Sequence, residues 1–168
     1  MYADYTDYQN FYGMKRLQEA DFMQFAIKAQ KILDHYTTGV DNVKKLKIAF
    51  PTDEDSVLYV KACFCDITDM LYEISEAEKM AGLARGFEST ADGIRGKVIT
   101  SRSAGNESIS YSASGGTQAA TEMDKAVADP DAKARMINDV VTRYLSGVTD
   151  ANGVNLMYMG RYPCIRTP

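Results

Sequence analysis

One histidine, His35, is all the imidazole this chain carries. With no second one available, a packed or capping role at the end of a helix is expected of it rather than catalysis. Three cysteines cannot pair completely within one chain: Cys63 and Cys65 stand two apart on a helix and point to different sides, and Cys164 lies in the tail. With no Cys-x-x-Cys pair or Cys/His cluster, the thiols are expected to be reduced and no metal site is expected. No run approaches the roughly 20 apolar residues of a bilayer span, and the Tyr- and Asp-rich start lacks both the basic flank and the apolar stretch of a signal peptide. No membrane partner is expected. Positive charge is short as well, since a net charge of −4 with 25% charged residues argues against a domain built to neutralise phosphates.

Signatures of catalysis are also lacking. There is no nucleophile elbow, no phosphate-cradling Gly-rich loop between a strand and a helix, and no metal-ligand spacing. Gly115-Gly116 reads as loop punctuation, and Asp66, Asp69, Glu73 and Glu76 as the solvated face of a helix. Neither enzymatic activity nor a cofactor is expected.

What is present is helical periodicity. From Thr52 to about Gly82, Val57, Val60, Phe64, Ile67, Leu71 and Ile74 recur at alternating spacings of three and four, which sets them along one stripe of a helix. Tyr59, Cys63 and Met70 widen that face, so the helix is expected to be packed on more than one side. Thr52 with Asp55 predicts its cap, Asp53, Glu54 and Asp55 favour the positive end of its dipole, and Gly82 predicts its stop. At 168 residues the chain is one core with appendages.

Around this central helix the other elements follow in order. Thr6 and Gln9 predict a capping box and Gly13 a stop for a short helix with Tyr5, Tyr8, Phe11 and Tyr12 on one side, stable only if that side is docked. From Gln18 to Thr37, Phe22, Phe25, Ala26, Ala29, Leu33 and Tyr36 keep helical spacing, and Gly39 stands where a C-cap with positive φ is wanted. Lys44, Lys45 and Lys47 fall in a loop ending at Pro51, read as solvated. Residues 86–121 are crowded with Gly, Ser, Thr and Ala, and segments 96–102 and 107–113 around Ala104-Gly105-Asn106 predict a β-hairpin that projects as an arm. Within 122–147, Asp129-Pro130 opens a further helix on which Met136, Ile137, Val140, Val141, Tyr144 and Leu145 form an apolar face ending at Gly147. After a turn at Thr149–Gly153, the tail from 154 is apolar and aromatic, and such a tail needs a partner in its own core or in another chain. The expected fold is mainly α: a small bundle of three main helices plus a short N-terminal helix, a projecting β-hairpin arm, and an extended C-terminal tail over 148–168.

The order of these parts resembles a known family. Tyr-x-x-Tyr-x-x-x-Tyr-Gly near the start, Tyr-Thr-Thr-Gly closing the second helix, Val-Lys-Ala-Cys-Phe-Cys-Asp-Ile in the long helix, Ser-Ile-Ser-Tyr-Ser in the hairpin, Val-Val-Thr-Arg-Tyr-Leu-Ser-Gly and Leu-Met-Tyr-Met-Gly in the tail are similar to the head-tail connector, or head-completion adaptor, proteins of long-tailed phages and prophages. The likeness runs from Tyr2 to Tyr162 and rests on the order of the set, none of its pieces being a catalytic signature.

The resemblance implies a single adaptor domain, with N-terminal helices over 1–85, repeated as a ring, typically of twelve copies, at the neck of a virion assembled in the host cytoplasm. Its implied partners are the portal protein, the stopper or tail-completion protein, other copies of itself, and DNA that passes down the channel without sequence-specific binding. The portal-binding segment maps to Leu156, Met157, Tyr158, Met159, Gly160, Arg161 and Tyr162. The hairpin that meets a neighbouring subunit or the stopper maps to Val98, Ile99, Ser108, Ile109, Ser110, Tyr111 and Ser112. The chain departs from the pattern at Met159, where related tails often carry arginine, and in its longer, Ser/Ala-rich stretch 112–128. The other reading of the same residues is a small helical binding or regulatory module, outside any particle, whose tail folds back onto its own bundle. A tail dispensable for folding would favour the first, and a tail needed for folding the second.

Overall fold

The computed structural model describes residues 1–13, 17–90, 93–103, 108–112, 126–127 and 129–163, and is mainly helical. Among the described residues the helices are α1 (Tyr5–Tyr12), α2 (Glu19–Tyr36), α3 (Lys45–Ile48), α4 (Glu54–Ala84) and α5 (Pro130–Leu145). Residues group into two compact units, one of Met1–Tyr72 with Ala134–Pro168 and the other of Glu73–Lys133.

The first unit holds the bundle. Val60, Phe64, Ile67 and Leu71 of the α4 stripe are buried and Val57 is half-buried, as the spacing requires. Cys63 and Cys65 are buried as well, so α4 is enclosed on more than one side and its two thiols are both out of water. Tyr59, expected to widen the apolar face, is instead exposed. The α2 stripe Phe22, Phe25, Ala26, Ala29 and Leu33 meets the same core, as do Ile137, Val140, Val141 and Leu145 of α5. Each large side chain fully removed from water there contributes roughly 1.5–3 kcal/mol.

The helix ends separate what local sequence specifies from what tertiary packing decides. At α5 the reading from sequence agrees with the structure, because Asp129 accepts a hydrogen bond from the Asp131 N–H at 2.9 Å, Pro130 opens the first turn, and Gly147 takes a positive φ of 84°. At α1 the capping box is two residues earlier than expected: Asp4 caps and Asp7 answers, not Thr6 and Gln9, because the helix begins at Tyr5 and takes Thr6 into its first turn. At α4 the cap is Asp53, whose Oδ2 accepts from the Ser56 N–H at 3.0 Å, while Thr52 is left exposed. Gly82 does not stop α4, which runs two residues further before β1, since an internal glycine costs a helix only about 1 kcal/mol.

Aromatic contacts dock α1. The Tyr8 ring lies 5.4 Å from Phe22 and 5.0 Å from Tyr12, and the Tyr5 ring 5.6 Å from Phe22. Phe11, expected on the same side, points outward. The buried Tyr8 hydroxyl donates to Asp69 Oδ1 at 2.7 Å, and Asp69 is itself only 5% exposed. That corrects the reading of Asp69 as part of a solvated face. Tyr8→Phe leaves a buried carboxylate one donor short, so the substitution should cost about 2 kcal/mol. An unchanged melting temperature in the phenylalanine variant would contradict that role.

The second unit contains the end of α4 and three strands, β1 (Arg85–Thr90), β2 (Gly93–Ser103) and β3 (Ser108–Ser112), ordered β1-β2-β3 and antiparallel. In it Lys133 reaches Glu78 at 4.0 Å. The segment of β1 was not anticipated as a strand, because Arg-Gly-Phe-Glu-Ser-Thr has little apolar alternation. The turn expected at 104–106, the Gly115-Gly116 pair, Cys164 and Arg166 lie outside the described residues.

Candidate docking surface

Gly39 follows α2 but does not cap it with a positive φ; the cap is Thr37, at φ −105°. The requirement for glycine is one of close approach, since a Cβ there would stand 2.3 Å from the Gly160 carbonyl oxygen. The tail therefore lies directly on the turn after α2. The Val40 N–H donates to the Met159 carbonyl at 3.0 Å, and the Tyr162 N–H to Asp41 Oδ2 at 2.6 Å.

The turn before the tail is built around Asp150. Its Oδ1 accepts from the N–H groups of Asn152 and Val154, each at 2.9 Å, and Gly153 supplies the positive φ of 76° that closes the loop. The Tyr162 hydroxyl donates to Asp150 Oδ2, and burial followed by this bond raises the tyrosine pKa. The turn returns the chain so that the Leu156 N–H meets the Val148 carbonyl at 2.9 Å, and the Leu156 side chain is completely buried in the core cluster.

Lys45 completes the clasp. The basic cluster read as a solvated loop is in fact the α3 turn, and Lys45 within it is wholly buried. Its Nζ donates to the Leu156 carbonyl at 3.0 Å and to that of Tyr158. Burial lowers its pKa, and the carboxylates of Asp150 and Asp41 oppose that shift. Lys44 and Lys47 instead face Asp34 at 3.8 and 3.1 Å. Asp34 also accepts from the Tyr2 hydroxyl, and burial with that bond raises the Tyr2 pKa.

The seven tail residues mapped from sequence thus divide into two sets. Leu156 faces inward, Met157 is packed against the core and Gly160 and Tyr162 are half-buried, whereas Tyr158 and Met159 are 50% and 45% exposed, Arg161 is exposed, and Val40 beside them is 73% exposed. Of the seven hairpin residues, Val98 pairs with Ser112, Ile99 with Tyr111, and Ile109 and Ser108 with Arg102 and Ser103; Ser110 pairs with Ser101, next to an irregularity between Ile99 and Ser101. His35 is exposed in the last turn of α2, its ring edge-on to Tyr36 at 5.8 Å.

No family model, curated protein or solved structure matches this chain. Among the described residues no three His, Cys, Asp or Glu side chains are grouped to hold a metal ion, and no helix is long and apolar enough to cross a membrane.

A concave surface away from the tail was not foreseen. A groove of about 370 Å³ between α1 and the start of α4 is lined by Asn10, Phe11, Thr52, Val57 and Leu58 together with the charged Asp7, Glu54 and Lys61. Lys61 Nζ meets Asp7 Oδ1 at 2.8 Å. Burial works against the Asp7 carboxylate, but the bonds from Lys61 and Asp4 outweigh it and hold its pKa low. The sequence pattern held no signal for this groove, since Phe11 was expected on the docked side of α1 and its exposure emerges only in the folded chain.

Proposed function

We propose that this chain is a structural virion protein of a phage neck, forming a ring that joins the portal to the stopper or tail and continues the DNA channel. The order of motifs supports this reading. So does one geometric feature: Tyr158 and Met159 stand half-exposed on a tail that Lys45 and Leu156 hold fixed, which lowers the entropy lost when an apolar edge docks on a partner. Tyr158, Met159 and Arg161 are the portal-facing residues in this reading, and Leu156 and Met157 hold them in place. In the same reading β3, at one edge of the β1-β2-β3 sheet, meets a neighbouring copy or the stopper, where strand addition supplies hydrogen bonds as well as area. A mildly acidic wall lets DNA pass without sticking. The protein works by fit, with no catalysis and no cofactor.

The burial of Leu156 in its own core is what the second reading, a helical binding module outside the particle, expects, and in the first it leaves only the outward tail residues to a partner. Quantitative peptide mass spectrometry on particles released by the encoding phage or prophage decides between them. A copy ratio to the portal protein near one is the expected result. Absence of the chain from intact particles overturns the neck reading in favour of the module.

A further inference from the structure

The outer face of α2 is more apolar than a solvated helix needs. Met23 is 44% and Ile27 56% exposed, one turn apart on the same stripe, and Lys31 continues it a turn later. Neither apolar side chain belongs to the core cluster. The groove between α1 and α4 has the complementary character. Its lining includes the apolar Phe11, Val57 and Leu58, of which Phe11 is 39% and Leu58 49% exposed, and the acidic Glu54, flanked in sequence by the exposed Asp53 and Asp55. Asp7 on its wall is neutralised by Lys61, whereas Glu54 and Lys31 have no ion pair among the described residues.

We propose that the groove between α1 and α4 receives the outer face of α2 from a second copy of this chain, with Met23 and Ile27 against Phe11, Val57 and Leu58 and Lys31 toward Glu54. This is helix-in-groove recognition, in which side chains four residues apart act as anchors. Both surfaces belong to the first compact unit. Each copy offers one helix face and one groove, so the contact is heterologous and extends from copy to copy until the rotation closes it into a ring. It leaves the tail patch at Tyr158 and Met159 open for a different partner. The inference deepens the ring of the proposed function and rests on it for its biological setting, though not for its test.

Two variants carry that test, each blocking one surface at an exposed site: Ile27→Asp removes the anchor and Leu58→Asp closes the groove. Thermal melts establish that both keep the wild-type fold. In reducing buffer, sedimentation velocity of the wild-type chain at rising concentration should show species beyond a dimer, and each variant alone should associate at least tenfold more weakly. An equimolar mixture of the two variants should form a dimer and nothing larger, because one intact helix face and one intact groove remain between them. A wild-type chain that stays monomeric throughout, variants that assemble like wild type, or a mixture that stays monomeric each overturns the proposal. Mass spectrometry of particles is read separately: a chain present in the neck whose variants assemble normally refutes this contact alone, and a chain that assembles as expected but is missing from particles refutes the neck reading alone.

Discussion

A chain stopped after Val154 loses about 5 kcal/mol of folding stability, which cancels the whole of it for a domain at the low end of the usual range of about 5–15 kcal/mol. Two losses combine. Leu156 is wholly buried, and emptying such a site costs about 2–5 kcal/mol. The Lys45 ammonium loses both carbonyl acceptors, Leu156 O and Tyr158 O, and although water then reaches it, the α3 turn loses what held it against the tail. Single substitutions separate the terms. Leu156→Ala should cost about 3 kcal/mol by cavity formation, and Lys45→Met about 2 kcal/mol by leaving two carbonyls unpartnered. Tyr158→Ser and Met159→Ser, at half-exposed positions, should stay within about 0.5 kcal/mol while removing the apolar edge. Calorimetric melts check all four, and a truncated chain that melts like the full one would refute the clasp.

That expectation reverses one drawn from sequence, where a docking tail was to be dispensable for folding. The reason shows what the sequence could reveal. Periodicity specified the stripes of α2, α4 and α5 because apolar side chains at three and four spacings have one favourable destination, the interior. Caps were legible to within two residues, since carboxylates and hydroxyls compete for the same N–H groups and only the folded backbone decides between Asp4 and Thr6 or Asp53 and Thr52. Polar burial was not legible. Lys45 is inside because the tail returns, 111 residues later, to place carbonyls on its ammonium. Likewise Asp69 is inside because Tyr8, 61 residues earlier, supplies a donor. Nothing in the local pattern distinguishes Lys45 from Lys44, or Asp69 from Glu73. Gly39 was singled out for the wrong property: its backbone needed space for Gly160 rather than a positive φ.

The clasp also changes what separates the two functional readings. Because Leu156 belongs to the core in either case, loss of stability on truncation cannot tell a neck protein from a free module. The discriminating residues are the exposed ones, Tyr158, Met159 and Arg161, whose replacement should leave the fold intact and, if the neck reading holds, weaken docking on the portal.

Alkaline pH should unfold this protein in the range where its thiols would ionise. Burial, helped by their mutual repulsion, pushes the Cys63 thiol up to about 12, and burial with the nearby Asp7 carboxylate does the same for Cys65, against a usual value of 9.0. A raised folded pKa means that the native state keeps a proton the unfolded state gives up. The stability is therefore fully present below pH 9 and is lost as pH rises through about 12. Three units for each thiol correspond to about 4 kcal/mol, and two thiols to about 8 kcal/mol at most, because the pair is coupled. Above pH 10 the tyrosines add in the same sense, Tyr144 held up to about 12 by burial and its bond to Asp66, and Tyr2 and Tyr162 raised as well. Lys45 has the opposite sign, since its lowered pKa makes stability rise with pH just below 10.5, but it is one group against five. Urea unfolding at pH 8 to 11 under reducing conditions should show stability nearly flat to pH 8.5 and then falling by about 2–3 kcal/mol per unit between pH 9 and 10. Replacing both thiols, Cys63→Ala with Cys65→Ala, removes the two groups that titrate in that interval, so the variant starts less stable yet loses little until tyrosine ionisation begins. An equal slope in the double variant would place the alkaline sensitivity elsewhere and free Cys63 and Cys65 of that role.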